Sequence, residues 1–200
     1  MWNIEKVMNE KKGPLFWVAL VLISIVALIG ALIMFALTNV SRSWKEEVKL
    51  ANGSVIVVKR RTVRERFGEL GHHGRVLKQE LEYDKPGGVI RWVRDIDPLI
   101  FDFAKDKAYV VAYLSTGEEC GRYGDPPNRF LAYELVGETW RAVQMTDLPD
   151  RLEFNLLQNS WNSGGGLITL AVKRREDFNP PDWFKKFDKN LQRPCPNYSR

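Results

Sequence analysis

Two adjacent histidines are the first residues in this sequence that could do chemistry. His72 and His73 lie between Gly71 and Gly74, in the stretch FGELGHHGRV. Neighbouring side chains on a strand point to opposite faces, so the pair could hold one metal ion only from an irregular loop. A zinc site needs three or four protein ligands, and the sequence has no second histidine cluster. We therefore predict a solvent-facing loop and no cofactor, with His72 and His73 kept only as weak candidate metal ligands.

Cys120 and Cys195 are the only two cysteines of the chain. An even pair in an exported domain is expected to form a disulfide, which would stabilise the fold by about 4 kcal/mol in the chain-entropy model. Two unrelated buried thiols in a cytosolic domain are the alternative. A reduced Cys120 beside His72 or His73 could instead act as a nucleophile, so an envelope enzyme with that site is the rival function. We predict the disulfide. The sequence has no nucleophile-elbow motif, and we predict no catalytic residue.

Two pairs of carboxylates are further candidates for a site. Asp95 and Asp97 would share one face if their segment is extended, and Glu118 is followed directly by Glu119. A calcium or sugar site is conceivable at the aspartates, but acidic residues before a proline are common at strand ends. We predict no catalytic role for either pair.

Basic and aromatic residues give the candidate binding surfaces. Lys59, Arg60 and Arg61 open the run KRRTVRER, which could meet anionic lipid headgroups near a membrane but is more typical of the solvated face of a strand. Trp161 lies in the glycine-rich stretch SWNSGGG, where it could form a contact surface or fold back onto the sheet. The first 40 residues carry three lysines and two glutamates, which leaves +4 of the chain's net +5 on a well-mixed remainder. Such mixing predicts no nucleic-acid partner.

One apolar segment decides the domain organisation. Leu15–Leu37 contains no charged residue across 23 positions, and a helix of that length reaches roughly 35 Å, enough to cross a hydrocarbon core. A cleavable signal peptide has a shorter apolar run and a small-residue cleavage site, and a buried core helix would show a polar face. We predict a tail at 1–14, a transmembrane helix at 15–38 whose partner is the lipid bilayer, and a β-rich domain at 39–200.

The orientation of this anchor rests on weaker signals. Lys6, Lys11 and Lys12 precede the apolar run, but basic residues follow it as well, so the positive-inside rule does not decide the orientation. A short tail before a single anchor suits export of the long C-terminal part, and the cysteine pair agrees with that. We predict the bacterial inner membrane with the C-terminal domain in the periplasm. A cytosolic-facing domain that binds anionic lipid through residues 59–66 stays open.

Alternating apolar residues and turn signals predict a mainly β domain. Asn52-Gly53 between Trp44–Leu50 and Ser54–Arg64 indicates a hairpin whose two central residues have positive φ. The pattern predicts further strands at Arg75–Tyr83, Val89–Asp95, Leu99–Phe103, Ala108–Ser115, Arg129–Val136, Thr139–Met145 and Leu167–Arg175. It also predicts a long loop at 116–128, a short helix beginning within Asp147–Asn159, and a C-terminal helix across 183–191. We expect an antiparallel sheet domain, sandwich- or barrel-like, with a short C-terminal helix.

Several short stretches resemble a family of small bacterial proteins with an N-terminal membrane anchor and a β-rich domain. They are Trp44 with VKLANGSVIVV at 48–58, then Cys120 to Tyr123, GETWRAV at 137–143, and LPDRLEFNLL at 148–157. The resemblance implies a membrane anchor and a bacterial source, and no activity. Together these features predict a non-catalytic binding or structural protein with an unknown protein partner in the cell envelope. An immunity-type protein, which holds a toxin at the membrane, is one form of that role.

Overall fold

The computed structural model describes residues 14–37, 39–65, 75–157, 166–175, 187 and 194–195. Within the first helix it describes side chains from 17 to 31 and at 33. The chain divides into two compact units: the first contains this helix, and the second contains the sheets from Val40 onward.

Helix α1 covers Pro14–Leu37, 24 residues with no acidic residue in its first turn and no basic residue in its last. Proline suits the first turn of a helix, because the amide that it lacks would have no partner there. All the described side chains of α1 are exposed. The Oγ of Ser24 donates a hydrogen bond to the Leu20 carbonyl at 2.8 Å. Among the residues that the structure describes, no helix meets the length and apolarity of a membrane span, so the transmembrane assignment stays a prediction.

The second unit contains two sheets. The five-stranded sheet has the spatial order β4 (Gly88–Arg94), β3 (Val76–Lys85), β2 (Val55–Arg64), β1 (Val40–Lys49) and β9 (Leu167–Ile168). Its neighbours pair antiparallel except β9, which runs parallel to β1. The four-stranded sheet has the order β5 (Asp97–Ala104), β6 (Lys107–Tyr113), β7 (Phe130–Val136) and β8 (Thr139–Val143), all antiparallel. The prediction of a mainly β, largely antiparallel domain is confirmed.

Buried side chains of both sheets form one hydrophobic cluster. Val58, Leu81 and Trp92 come from the five-stranded sheet, and Phe101 and Val110 come from the four-stranded sheet. The opposite face of the four-stranded sheet buries a second cluster against residues 148–154. Because both of its faces are covered, β6 is buried at every position from Ala108 to Tyr113.

The turns differ in one respect from the sequence prediction. The β1–β2 hairpin forms at the predicted place, but only Gly53 of the Asn52-Gly53 pair has positive φ, at 85°. Asn52 instead accepts hydrogen bonds from the Ser54 amide and hydroxyl through its side chain. Two consecutive residues of positive φ occur in the β5–β6 turn, at Lys105 and Asp106, so that connection is the tighter one.

Other segments correct the sequence prediction more strongly. The loop predicted at 116–128 contains a helix, α2, at Gly117–Arg122. The segment 147–159 forms no α-helix in its described part, and a 3₁₀ turn at Met145–Asp147 ends at its first residue. The last predicted strand, Leu167–Arg175, ends at Ile168 and is followed by the helix α3 at Leu170–Arg175. The C-terminal helix predicted across 183–191 lies outside the described residues, apart from position 187.

Candidate functional site

The basic run that begins at Lys59 is divided between the two faces of β2. Lys59 and Arg61 lie on the exposed face, whereas Arg60 is buried with 2% of its surface accessible. Lys59 is paired with both Glu82 and Asp84 at 2.9 Å. The preferred interpretation, a solvated strand face, therefore fits Lys59 and Arg61 and is wrong for Arg60. A period of two requires this split, since alternate residues of a strand face opposite sides.

Buried Arg60 belongs to a charged cluster that the sequence pattern did not predict. It consists of Glu46, Arg60 and Lys173 and is called the Glu46 cluster. Arg60 Nη1 donates to Glu46 Oε1 at 2.9 Å, and Lys173 Nζ lies 2.6 Å from Glu46 Oε2. The Leu157 amide adds a third donor to Glu46 at 3.0 Å. The carboxylate is fully buried, and its hydrogen bonds replace the water that it loses on folding.

The lysine of this cluster has the environment of a perturbed base. Burial lowers the pKa of Lys173, and the nearby carboxylate of Glu46 opposes that change. A lowered lysine pKa can indicate a nucleophile. Here the ammonium donates to Glu46 and to the Asn155 carbonyl at 2.8 Å, and its side chain is only 11% exposed. The contacts therefore fit a positioned cation better than an accessible nucleophile.

Asp95 and Asp97 do not form a shared site. The chain bends at Asp95 and Ile96, so the condition under which both aspartates would share one extended face is not met. Asp97 is buried against the amide of Gln79 and lies 3.5 Å from an Arg64 nitrogen. Burial raises the pKa of Asp97 to about 6, although the arginine charges oppose the rise.

Asp95 faces α2 instead. Its two oxygens accept hydrogen bonds from Arg122 Nη1 and from the Tyr123 hydroxyl, both at 2.5 Å. Burial raises the pKa of the Tyr123 phenol, and the hydrogen bond to Asp95 adds to that rise. This network fixes the end of α2, the helix that carries Cys120, and it leaves neither oxygen of Asp95 without a protein partner.

The second carboxylate pair lies at the start of α2 and has a structural role. Glu119 is buried and forms a capping box with Thr116, each residue bonding the backbone amide of the other. Glu118 is exposed and pairs with Arg75 at 3.0 Å. The sequence Thr-Gly-Glu-Glu carries the capping-box signature, so the sequence contained the signal for this helix start.

The two cysteines lie at disulfide distance, as predicted. Cys120 Sγ and Cys195 Sγ are 2.14 Å apart, and the cysteines are 75 residues apart in the sequence. Cys120 is fully buried and Cys195 packs against the shared cluster. A sulfur held in this way offers no thiolate to a substrate, so the proposed Cys120 nucleophile has no support from the geometry. His72 and His73 lie outside the described residues.

Trp161, the last predicted contact residue, also lies outside the described residues, so its role stays a prediction. No group of three or more histidine, cysteine or carboxylate side chains with metal-site geometry occurs in the described part of the chain. Comparison with protein-family models, curated proteins and solved structures gives no match.

Proposed function

We propose that this chain is a single-pass membrane protein of the bacterial inner membrane. Its helix 15–38 would anchor a β-rich domain in the periplasm, and that domain would act by binding another envelope protein, without catalysis. An immunity-type protein that holds a toxin at the membrane is one form of this role. Tethering raises the local concentration of the domain, so weak contacts would suffice.

The observation that carries the proposal is the exposure of α1. Leu20, Val21, Leu22 and Ile23 are each between 40% and 65% exposed. Four consecutive helical residues span the whole circumference, because each adds about 100°. An apolar surface on every side of a helix is costly in water and favourable in lipid. The Ser24 hydroxyl, bonded to its own helix, meets the same requirement for internally satisfied polar groups.

The domain itself supports binding over catalysis. Within each described charged cluster, the side chains bond mainly to other members of that cluster, as around Glu46 and around Asp95. The pairing of Lys59 with Glu82 and Asp84 disfavours the alternative of a cytosolic-facing domain that binds anionic lipid. The cysteine pair at disulfide distance is consistent with an oxidising compartment.

Carbonate extraction of membranes tests the anchor. We expect the full chain to stay with the membrane. The double variant Ile23→Arg/Ala27→Arg should be released, because two central arginines cost about 6 kcal/mol of insertion free energy. The matched control Ile23→Leu/Ala27→Leu should stay bound. Release of the unmodified chain would overturn the proposal.

Reporter fusions at the C-terminus test the side of the membrane. Alkaline phosphatase is active only after export, whereas green fluorescent protein reports a cytosolic domain when the Sec route is used. We expect phosphatase activity without fluorescence, and protection of both cysteines from alkylation until a reductant is added. Alkylation of Cys120 in the folded protein without reductant would instead favour the enzyme.

A further inference from the structure

The edges of the two sheets are closed in different ways. On β5, the side chain of Asn155 imitates a strand: its Oδ1 accepts from the Phe101 amide at 3.0 Å and its Nδ2 donates to the Phe101 carbonyl at 2.9 Å. On β4, the indole of Trp140 donates to the Arg91 carbonyl at 2.7 Å. On β1, the short strand β9 pairs with Lys45 and Glu46. These devices limit pairing with foreign strands.

Among the residues that the structure describes, none closes the outer edge of strand β8 in this way. Gly137 and Glu138 form a two-residue turn, so Val136 and Thr139 close the hairpin as a hydrogen-bonded pair. The backbone groups of alternate residues then point away from β7, namely those of Trp140 and Ala142. Among the described residues, none pairs with these groups, and Ala142 is exposed.

Arg141, between these two residues, selects the partner. It is exposed and has no ion pair with any described residue. Its cross-strand neighbour, Glu134, is bound by Lys107 at 2.7 Å. A strand added on this side would therefore place its own side chain beside a guanidinium that has no ion pair among the described residues, and a carboxylate is favoured there.

A second copy of β8 is a poor occupant. The antiparallel register that uses the groups of Trp140 and Ala142 on both copies sets Arg141 opposite Arg141. Residues in such a non-hydrogen-bonded pair approach to about 4.5 Å between Cα atoms, and like charges there are destabilising.

We propose that β8 is a docking edge for an extended segment of another protein that carries an aspartate or glutamate opposite Arg141. The segment adds a fifth strand to the sheet through the backbone of Trp140 and Ala142. This inference deepens the binding role proposed above and rests on it only for the cellular setting.

Short synthetic strands test the edge on the full chain in detergent micelles. The probe is a fluorescent, capped peptide of about seven residues that alternates threonine and valine around one central glutamate. The control peptide has lysine in place of the glutamate. We expect the glutamate peptide to bind at least threefold more tightly, and the order to reverse with Arg141→Glu. The amides of Trp140 and Ala142 should exchange more slowly when the peptide is bound.

Two changes remove the backbone bonds. Ala142→Pro deletes an amide that points away from β7, so the hairpin ladder stays complete, and peptide affinity should fall at least fivefold. With wild-type protein, a peptide N-methylated at the residues facing the edge should lose binding equally, which excludes misfolding as the cause. Equal binding of the two charge peptides, unchanged binding of the N-methylated peptide, or crosslinked dimers joined through β8 would each overturn the proposal. Failure of the anchor in carbonate extraction leaves these measurements unaffected.

Discussion

Two buried regions of the domain, strand β6 and the β1–β2 pair, differ in chemistry. In the four-stranded sheet, β6 buries only Ala108, Tyr109, Val110, Val111, Ala112 and Tyr113 along its length. In the five-stranded sheet, part of the interior is charged, with Glu46 and Arg60 on neighbouring strands and less than 3% exposed. When a substitution shortens a buried apolar side chain, the free energy of unfolding falls roughly in proportion to the apolar contacts that are removed. A buried ionic interior depends on each partner being present, because one uncompensated charge costs several kcal/mol.

The largest expected effect comes from Glu46→Gln. This change leaves Arg60 and Lys173 as two buried cations without a carboxylate, and we expect the free energy of unfolding to fall by about 4 kcal/mol. Urea denaturation measures the loss. Glu82→Gln on the exposed face, which removes one partner of Lys59, is the control and should leave stability almost unchanged. Equal effects of the two variants would show that the buried cluster does not differ from the surface pairs.

The next effect is a pH dependence centred on Asp97. Burial raises its pKa to about 6 in the folded state against 3.8 as the ordinary value, so the folded chain binds the proton more tightly. The free energy of unfolding should therefore gain a contribution as pH falls through 6, approaching about 3 kcal/mol below pH 4.

Asp97→Asn isolates this contribution, because the other carboxylates stay in place. Denaturation curves of both proteins are compared between pH 7 and pH 4, and the wild type should gain stability relative to the variant as the solution is acidified. Parallel curves would show that Asp97 keeps an ordinary pKa.

A graded effect is expected at an apolar position of the four-stranded sheet. Ile100 is fully buried in β5, and Ile100→Val removes one methylene without leaving a polar group unpaired. We expect a loss of about 1 kcal/mol in urea denaturation. A loss as large as that of Glu46→Gln would remove the contrast between the two interiors.

The smallest effect should follow from replacing the whole ionic cluster. In the triple variant Glu46→Leu, Arg60→Met, Lys173→Met, no buried charge of the Glu46 cluster is left without its partner. We expect a free energy of unfolding within about 1 kcal/mol of wild type, or higher. A loss near 4 kcal/mol would mean that the hydrogen bonds of this cluster, including the Leu157 amide to Glu46, stabilise the fold in ways that apolar packing cannot replace.

Local sequence patterns placed most of the strands, since hairpin turns and a period of two act between near neighbours. In the segment 147–159, local patterns predicted the wrong secondary structure for the part that the structure describes. Asp147 as an N-cap predicted the start of a helix, but the amides of Asn155 and Leu156 donate to the Leu99 carbonyl and that of Leu157 donates to Glu46. Partners from distant strands replaced the helical ones.

The end of the last strand has the same explanation. The pattern of Leu167–Arg175 predicts one strand, but the Leu170 amide donates to Glu47 Oε2 at 2.8 Å. The hydroxyl of Thr169 accepts from the Val172 amide, so the chain is capped as a helix two residues after β9 begins. Glu47 lies 123 residues away from Leu170 in the sequence, and no local pattern could have indicated it.

The sequence by itself determined the apolar helix, the mainly β domain, the position of the first hairpin and the expected pairing of Cys120 with Cys195. Each depends on composition, on local periodicity or on the fact that the chain has two cysteines. Only the tertiary structure decided that Arg60 is buried beside Glu46, that Asp95 and Asp97 face different partners, and that no described residue pairs with the outer edge of β8. These properties depend on contacts between residues far apart in the chain, whose energies no short window of sequence contains.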